Sequence, residues 1–242
     1  MDAYGDFAHI YDRLMHEDVD YDKWCDYIEN QLHLHGCEPE TICELACGTG
    51  SITVRLEKRG YRMTGVDISA DMVAEARRKT RHAEYVVENM ARFTPSEKYD
   101  AYICMIDGLN YLIAPGLLLR TFKNVKEHLK SGGVFMFDVS SRYKLRDIIG
   151  DETFIHSEQD VFYSWQNRYI EKYNLSDMLL NFFVLRGTRY ERFEERHLQR
   201  GHSVAELRKL LADAGFEKTE VYDELSFEPP SENSERIVFV CK

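Results

Sequence analysis

The sequence predicts an α/β fold in which helices cover both faces of a mostly parallel β-sheet, with one antiparallel insert. Between residues 41 and 140, short apolar runs alternate with amphipathic segments of helical length, a pattern typical of a doubly wound sheet. A glycine-rich turn follows the first apolar run. Over residues 158–199 the helical spacing is lost, and four strand-like runs replace it. The 242 residues suffice for one large domain or two smaller ones.

A helix and a strand are predicted before the glycine-rich turn, and a helix after it. Residues 20–35 place apolar side chains on one stripe at helical spacing, and Asp20 is a favourable N-cap. The short apolar run TICELA at 41–46 is predicted to be a strand. The next helix is expected from Ser51 to Arg59, because Gly60 is a residue type that commonly ends a helix.

Three further strands and one helix are predicted in the next part of the chain. The strands are expected at 61–67, 83–88 and 99–106. The helix lies between the first two of them. Ser69 is the expected N-cap of this helix, and the helix is expected to extend to about Thr80.

The remaining elements resume the α/β pattern around the insert. Apolar residues at spacings of four, three and four indicate a helix that Gly132–Gly133 is expected to end, and a strand follows at 133–139. After the insert, Ser203 and Glu206 match the capping-box pattern before a leucine stripe that Gly215 ends. The runs EKTEVYD and RIVFVCK are predicted to be the last two strands.

The insert is predicted to be an antiparallel meander. Its four runs are VFYSWQ, NRYIEKY, MLLNFFVL and TRYERFEERHL, and short polar turns separate them. The expected domains are therefore 1–150 together with 200–242, and an inserted unit at 151–199. Since the insert interrupts the chain after the fifth strand, at the edge of the sheet where ligands bind, we expect it to cover a ligand there. The alternative is that its aromatic residues form only the hydrophobic face of a small sheet.

Charge and hydropathy argue against DNA and membrane partners. The net charge is −11, and residues 1–40 hold eleven acids and two bases. DNA-binding proteins instead gain most of their affinity by neutralising phosphates. No run approaches the ~18 apolar residues of a membrane span. The first residues also lack the basic and apolar regions of a secretory signal.

Cysteine and histidine usage predicts a cytoplasmic protein without a metal site. The six cysteines form no CxxC pair, which indicates buried, reduced thiols. The nine histidines form neither an HxxxH nor an HExxH pattern.

The segment Glu44-Leu45-Ala46-Cys47-Gly48-Thr49-Gly50 is the main indication of chemistry. It joins a predicted strand to a helix, where a doubly wound sheet binds its ligand, and its small residues allow close approach of the backbone. Asp67 ends the next strand, where a carboxylate accepts hydrogen bonds from ribose hydroxyls. A dinucleotide is disfavoured, because Thr53 replaces the third glycine of GxGxxG and Glu44 would repel a pyrophosphate. A cationic cofactor such as S-adenosylmethionine suits Glu44 better.

Several segments together resemble the class I S-adenosylmethionine-dependent methyltransferases. They are ELACGTG (44–50), VDIS (66–69), ENM (88–90), YDAYICMIDGLNYL (99–112), LKSGGVFMFDV (129–139) and the paired C-terminal strands. The resemblance implies a Rossmann-like fold, with seven strands and an antiparallel C-terminal strand. It also implies S-adenosylmethionine as cofactor and direct in-line methyl transfer to a small-molecule acceptor. FAHIYDRLM (7–15) is similar to the N-terminal lid of a bacterial subgroup, so residues 1–35 are expected to form a helical lid. The insert is similar to the substrate cover of that subgroup, so we expect it to cover the acceptor and not the cofactor.

The resemblance also implies which residues bind the cofactor. Ala46 departs from the usual glycine but stays small, and Asn89 replaces a frequent acid. Glu44 is expected to meet the methionine ammonium directly or through water, and Asp67 the ribose. The full expected set is Tyr11, Glu44, Ala46, Cys47, Gly48, Asp67, Ile68, Met72, Asn89, Met90 and Met105.

The acceptor side is less defined by the sequence. No general base is obligatory for an acceptor that is already neutral, and the candidates for that role are Asp107, Tyr111 and His156. Tyr111, Trp165 and Arg168 are candidates for acceptor binding. Three alternatives stay open: a non-catalytic module that binds S-adenosylmethionine or a nucleoside, a nucleotide-binding oxidoreductase, and a methyltransferase that acts on RNA. Pairing of two subunits through an exposed edge of the meander is also open.

Overall fold

The computed structural model describes residues 8, 10, 12–15, 18–158 and 160–242, and its strands form two separate sheets. In chain order the strands are β1 Thr41–Leu45, β2 Arg62–Asp67, β3 Glu84–Val87, β4 Tyr99–Cys104, β5 Leu129–Ser140, β6 Thr153–Ser157, β7 Val161–Ile170, β8 Leu175–Arg186, β9 Arg189–Arg200, β10 Thr219–Asp223 and β11 Arg236–Cys241. The larger sheet has seven strands in the order β10-β11-β5-β4-β1-β2-β3, and β11 is antiparallel to both neighbours. This confirms the predicted fold class. The strand order reverses between β1 and β4, which places a crevice at their carboxyl ends.

Five α-helices flank this sheet in the described part of the chain. They are α1 Tyr21–Leu34, α2 Ser51–Lys58, α3 Ala70–Lys79, α4 Leu117–His128 and α5 Val204–Asp213. The side chains of Asp20, Ser69 and Ser203 each accept a hydrogen bond from the backbone amide three residues later, at 3.0, 3.3 and 3.1 Å. These contacts confirm the three predicted N-caps. None of the helices among the described residues has the length and apolar character needed to cross a membrane.

The central strands are buried on both faces. Ile42 and Ile103 belong to the core beneath α1, α2 and α3, whereas Cys43 and Tyr102 belong to the core beneath α4 and α5. Consecutive residues of a strand point to opposite faces, so both faces of β1 and β4 must be apolar. This explains why these strands appear in the sequence as continuous apolar runs without alternation.

The predicted end of the helix before β5 is wrong. Helix α4 ends at His128, and the chain enters β5 at Leu129, before the two glycines. Gly132 adopts a φ of 78°, and the register of β5 against β4 shifts between Tyr99 and Ala101. The glycines therefore allow a bulge inside the strand instead of ending the helix.

The insert has four strands, but their boundaries differ from the prediction. VFYSWQ and the first four residues of NRYIEKY form the single strand β7, because no glycine or proline interrupts residues 161–170, and Glu171–Tyr173 form a 3-10 turn after it. The fourth strand is β6, which precedes the predicted meander. The sheet order is β6-β7-β8-β9, with antiparallel pairing throughout.

The two faces of the insert have different environments. We call inner face the one that carries Tyr163, Phe182 and Phe193, and outer face the one that carries Arg168 and Asp177. The inner face packs against the N-terminal segment, by which we mean the described residues up to 15. Ile10 and Leu14 of this segment lie in one apolar cluster with Val161, Phe182 and Val184. Its other end packs against a π-helical turn over Lys144–Ile149.

The two ends of the insert are fixed to the main sheet at one residue. The side-chain amide of Asn110 donates hydrogen bonds to the carbonyl oxygens of Ser140, at 3.0 Å, and of Arg200, at 2.9 Å. Ser140 ends β5 and Arg200 ends β9. The inner face is thereby held beside the carboxyl ends of β4 and β5.

Candidate functional site

The carboxyl ends of β1 and β4 form two strained turns that touch each other. Ala46, Ile106 and Asp107 have φ values of 54°, 58° and 54°, which residues other than glycine rarely adopt. A Cβ atom on Gly108 would lie 2.7 Å from Cβ of Ala46, so glycine is required there. Such strain persists only where the surrounding structure fixes it, and it is concentrated at functional sites.

Asp67 joins the ends of β1 and β2. Its carboxylate accepts hydrogen bonds from the backbone amides of Gly48, at 2.8 Å, and Ser69, at 2.9 Å. Burial raises the pKa of Asp67, and the two amide donors counteract this. Among the described residues, no other atom lies within 4 Å of the position that a Cβ on Gly48 would take.

Glu44 lies inside the fold, beneath the glycine-rich loop. Its side chain is only 3% exposed, and the hydroxyl of Thr53 donates a hydrogen bond to its carboxylate. Burial raises the pKa of Glu44 to about 8, despite the opposing effect of this hydrogen bond. Thr53 occupies the position of the third glycine of a dinucleotide motif. It therefore contacts Glu44 directly, the residue predicted to meet the ammonium group of the cofactor.

The other predicted cofactor residues lie along the same edge of the sheet. Ile68, directly after Asp67, is 69% exposed although it is apolar, as expected of a side chain that a ligand covers. The side-chain oxygen of Asn89 accepts a 2.9 Å hydrogen bond from the amide of Ala91 and keeps a second lone pair for a ligand. The remaining residues of the set are Ala46, Cys47 and Gly48 after β1, Met72 on α3, Met90 after β3 and Met105 after β4. An open loop, an acid at the end of β2 and an uncovered apolar rim fit an adenosine ligand without phosphates.

Asp107 is held in an ion-paired network. Arg236 lies 2.8 Å from Asp107 and also pairs with the fully buried Asp138. Gln199 donates a 2.7 Å hydrogen bond to Asp107 from the inner face of the insert. The Arg236 guanidinium holds the pKa of Asp107 below its ordinary value, against the effect of burial. Asp107 therefore stays ionised and is a poor proton acceptor, which weakens its candidacy as general base.

Tyr111 contacts the insert at the rim of the site. Its hydroxyl lies 3.3 Å from Nδ1 of His197, and 45% of the residue is exposed. Burial of the hydroxyl end, together with the charge of Asp107, raises the pKa of Tyr111. The pKa of His197 is lowered by burial, so the pair is neutral near pH 7.

Three predicted residues of the insert lie elsewhere. His156 pairs with Glu158 at 2.9 Å on β6, at the other edge of the insert from β9. Trp165 is on the inner face, but it packs with the cluster around the π-helical turn. Arg168 is on the outer face, 3.2 Å from Asp177. The structure thus does not bring His156, Trp165 or Arg168 together with Tyr111.

The N-terminal segment is fixed to the glycine-rich loop by Asp12. Its carboxylate accepts hydrogen bonds from Thr49, at 2.5 Å, and Ser51, at 3.2 Å, and it pairs with Lys79 at 2.5 Å. Tyr11, the predicted lid residue, lies outside the described residues. The segment that carries it is nevertheless anchored beside the predicted cofactor site.

Sequence reasoning missed several residues that complete the site. They are Asp12, Asp138, His197, Gln199 and Arg236, which contact the glycine-rich loop, Asp107 or Tyr111. The sequence carried a signal for them only on β9. Phe193, Glu195, His197 and Gln199 are spaced two residues apart, which predicts that they share one face of the strand. Asp138 lies two residues before the end of the apolar strand β5, but it is engaged by Arg236, which lies 98 residues away.

Comparisons with known proteins agree with this geometry. The family model described as "Methyltransferase domain" matches residues 42–133. YqeM of Bacillus subtilis (strain 168), named as a methyltransferase, is 35% identical over 98% of this chain and 95% of its own length. The crystal structure of an S-adenosylmethionine-dependent methyltransferase from Clostridium acetobutylicum matches with a TM-score of 0.90 and 34% identity, over 100% of this chain and 99% of its own. A dTDP-3-amino-3,6-dideoxy-alpha-D-glucopyranose N,N-dimethyltransferase of Streptomyces fradiae is 26% identical over 57% of this chain and 54% of its own length.

Proposed function

The chain belongs to the class I S-adenosylmethionine-dependent methyltransferases, and we propose that it methylates a small molecule held between the carboxyl edge of the main sheet and the inner face of the insert. The observation that carries this proposal is the contact between β9 and the turn after β4. Gln199 contacts Asp107, and His197 contacts Tyr111. The insert would therefore cover the position at which an acceptor meets the cofactor.

The charge distribution favours a small molecule over RNA. An RNA acceptor needs cations that are available to phosphates. Three arginines on the outer face are instead engaged by acids of the same sheet: Arg168 and Arg196 share Asp177, and Arg192 pairs with Glu194. The relative from Streptomyces fradiae, which its name describes as acting on an amino sugar, supports an acceptor of this size.

The residues of the site have distinct roles in this proposal. Bound S-adenosylmethionine supplies the electrophilic methyl group, while the protein supplies alignment and excludes water. Asp67 holds the ribose, and Glu44 favours the cationic amino-acid end. Met105 lies beside the methyl-bearing end, where the turn after β4 meets the acceptor.

We also place the protein in the cytoplasm. All six cysteines are free and buried, as expected of thiols in a reducing compartment. DNA is not a partner in this proposal.

Methyl transfer from labelled cofactor tests the proposal. The protein is incubated with S-adenosylmethionine labelled in its methyl group, and separately with a metabolite extract and with bulk RNA. Label is expected in the small-molecule fraction, and Asp67→Ala is the control that lacks the ribose contact. Label in RNA would favour the RNA alternative. Cofactor binding without any transfer would favour the non-catalytic module.

A further inference from the structure

We propose that Glu195 binds a cationic amino group of the acceptor and that His197, together with Tyr111, takes up the proton that this amine must lose before methylation. The inference rests on the proposed function, since it names the acceptor class and the residues that select it. The observations that carry it are the position of Glu195, its lack of a partner within the described part of the chain, and the neighbouring contact between His197 and Tyr111.

Glu195 lies on the inner face of β9, between residues that pack toward the N-terminal segment and residues that contact the turn after β4. Alternate residues of β9 share the inner face. The two that follow Glu195, His197 and Gln199, contact the turn after β4. The one that precedes it, Phe193, packs with the cluster that contains Ile10 and Leu14 of the N-terminal segment. Glu195 thus lies between Phe193, which packs with Ile10 and Leu14, and His197, which contacts Tyr111 after β4.

The carboxylate of Glu195 has no ion pair or side-chain hydrogen bond among the residues that the structure describes. It is partly buried, and burial alone raises its pKa. The acids of the outer face differ, because Glu194 pairs with Arg192 and Asp177 with two arginines. A carboxylate removed from water without a cation is unfavourable, so a cationic ligand would supply the missing partner.

An amine fits the chemistry of these groups. An ammonium nitrogen has no lone pair, so an N–H bond must first break, and the proton passes to the imidazole of His197. The nitrogen lone pair then forms the new bond to the methyl carbon as the methyl–sulfur bond breaks and leaves its electron pair on sulfur. Positive charge returns to the nitrogen during this step, and the Glu195 carboxylate stabilises it.

The charges around His197 allow this role. Among the described residues, the acid whose charge acts on the ring is Asp107 after β4, which is already paired with Arg236, and Glu195 lies two residues before His197 on the same face of β9. Tyr111 contacts the ring as a neutral hydroxyl. Burial lowers the pKa of His197, so the imidazole is neutral near pH 7 and able to accept a proton.

Sinefungin tests the charge recognition without a known acceptor. It resembles S-adenosylmethionine but carries an amine on carbon at the methyl-bearing position, whereas S-adenosylhomocysteine has no group there. In titration calorimetry, Glu195→Gln should weaken sinefungin about tenfold and leave S-adenosylhomocysteine within about twofold. Glu194→Gln, the outer-face neighbour, should change neither affinity. Equal effects of Glu195→Gln on both ligands, or no effect on either, would overturn the proposal.

A panel of matched acceptors tests the chemical class. Amines, their N-acetylated forms and the corresponding alcohols are compared for transfer of labelled methyl. Amines should be the acceptors, and Glu195→Gln should raise their KM more than it lowers kcat. His197→Gln should lower kcat and abolish its rise with pH through the pKa of that imidazole. Transfer to alcohols in preference to amines would contradict the inference alone. If the proposed function itself were wrong, the protein would bind the cofactor but transfer no methyl group to amines, N-acetylated forms or alcohols.

Discussion

The guanidinium of Arg236 forms a buried ion pair with the carboxylate of Asp138, 98 residues earlier in the chain. Asp138 also accepts hydrogen bonds from the backbone amides of Ile106, at 2.5 Å, and Asp107, at 2.9 Å. Those two residues have positive φ and form the turn after β4. One long-range pair therefore fixes the strained turn on which the acceptor side of the site is built.

Replacing Arg236 should be strongly destabilising. Arg236→Met leaves Asp138 buried without its cation, which typically costs about 3–5 kcal/mol of unfolding free energy. Urea denaturation measures this loss. The control is Arg62→Met, because Arg62 forms an exposed pair with Glu97 at 3.2 Å and such pairs contribute about 0–1 kcal/mol. Similar losses for the two variants would contradict a structural role of the buried pair.

The fold, and the position of Asp67 at the end of β2, were predictable because they depend on local pattern. Strand and helix periods, N-caps such as Ser69, and acids at strand ends such as Asp67 occur within short windows of sequence. The acceptor side depends on pairings between distant segments. Neither the pairing of Arg236 with Asp138 nor the face on which Arg168 lies follows from a local signal. A one-residue change of strand register would have moved Arg168 to the inner face.

Asp67→Ala should weaken S-adenosylmethionine binding about tenfold or more, since charge-assisted hydrogen bonds contribute about 1.5–3 kcal/mol each. The change removes the carboxylate proposed to bind the ribose, which is also the acceptor for the amides of Gly48 and Ser69. Titration calorimetry measures the affinity, and circular dichroism checks that the fold is intact. Asp71→Ala, in the first turn of α3, is the control. Unchanged affinity in Asp67→Ala would exclude this residue as ribose anchor.

Stability should fall as the pH rises through the pKa of Glu44. Burial raises this pKa from 4.5 to about 8 in the folded chain, so between those values the folded chain binds more protons than the unfolded one. The contribution of Glu44 to the unfolding free energy is complete below about pH 4.5 and is lost by about pH 8. Between these values the unfolding free energy falls by up to about 1.4 kcal/mol per pH unit. Glu44→Gln should flatten this profile in urea denaturation, whereas Glu40→Gln, at an exposed position before β1, should retain it.

The same residue provides a test of the ammonium contact. An ammonium beside Glu44 favours its ionised form, so cofactor binding near pH 7 should release protons. Calorimetry in buffers of different ionisation enthalpy measures that release, and Glu44→Gln should abolish it while weakening both S-adenosylmethionine and S-adenosylhomocysteine. If adenosine alone lost as much affinity as the whole cofactor, the ammonium would not be the partner of Glu44.

Asp12 should couple the N-terminal segment to cofactor binding. Asp12→Ala removes its contacts with Thr49, Ser51 and Lys79, two of which lie in or next to the glycine-rich loop. We expect roughly a tenfold loss of S-adenosylmethionine affinity, the equivalent of about 1.4 kcal/mol, and faster proteolysis of the segment. Asp18→Asn, an exposed acid that follows the same segment, is the control. Normal affinity with fast proteolysis would show that the segment and the loop are independent.

The inner face of the insert should support the cofactor side as well as the acceptor side. The expectation from sequence was that the insert covers the acceptor alone, yet Met72, predicted to flank the adenine, packs with the cluster of Ile10, Leu14 and Phe182. Phe182→Ala should therefore lower both the unfolding free energy, by about 3–5 kcal/mol, and the affinity for S-adenosylmethionine.

Phe183→Ala is the matched control for Phe182→Ala. Phe183 is the next residue of β8, but it points to the outer face and meets Phe162 at 6.0 Å between ring centroids. Because it supports neither the N-terminal segment nor Met72, its truncation should leave cofactor affinity unchanged. Calorimetry and urea denaturation on the two variants separate the roles. If Phe182→Ala impaired only methyl transfer and left cofactor affinity at the level of Phe183→Ala, the insert would serve the acceptor alone.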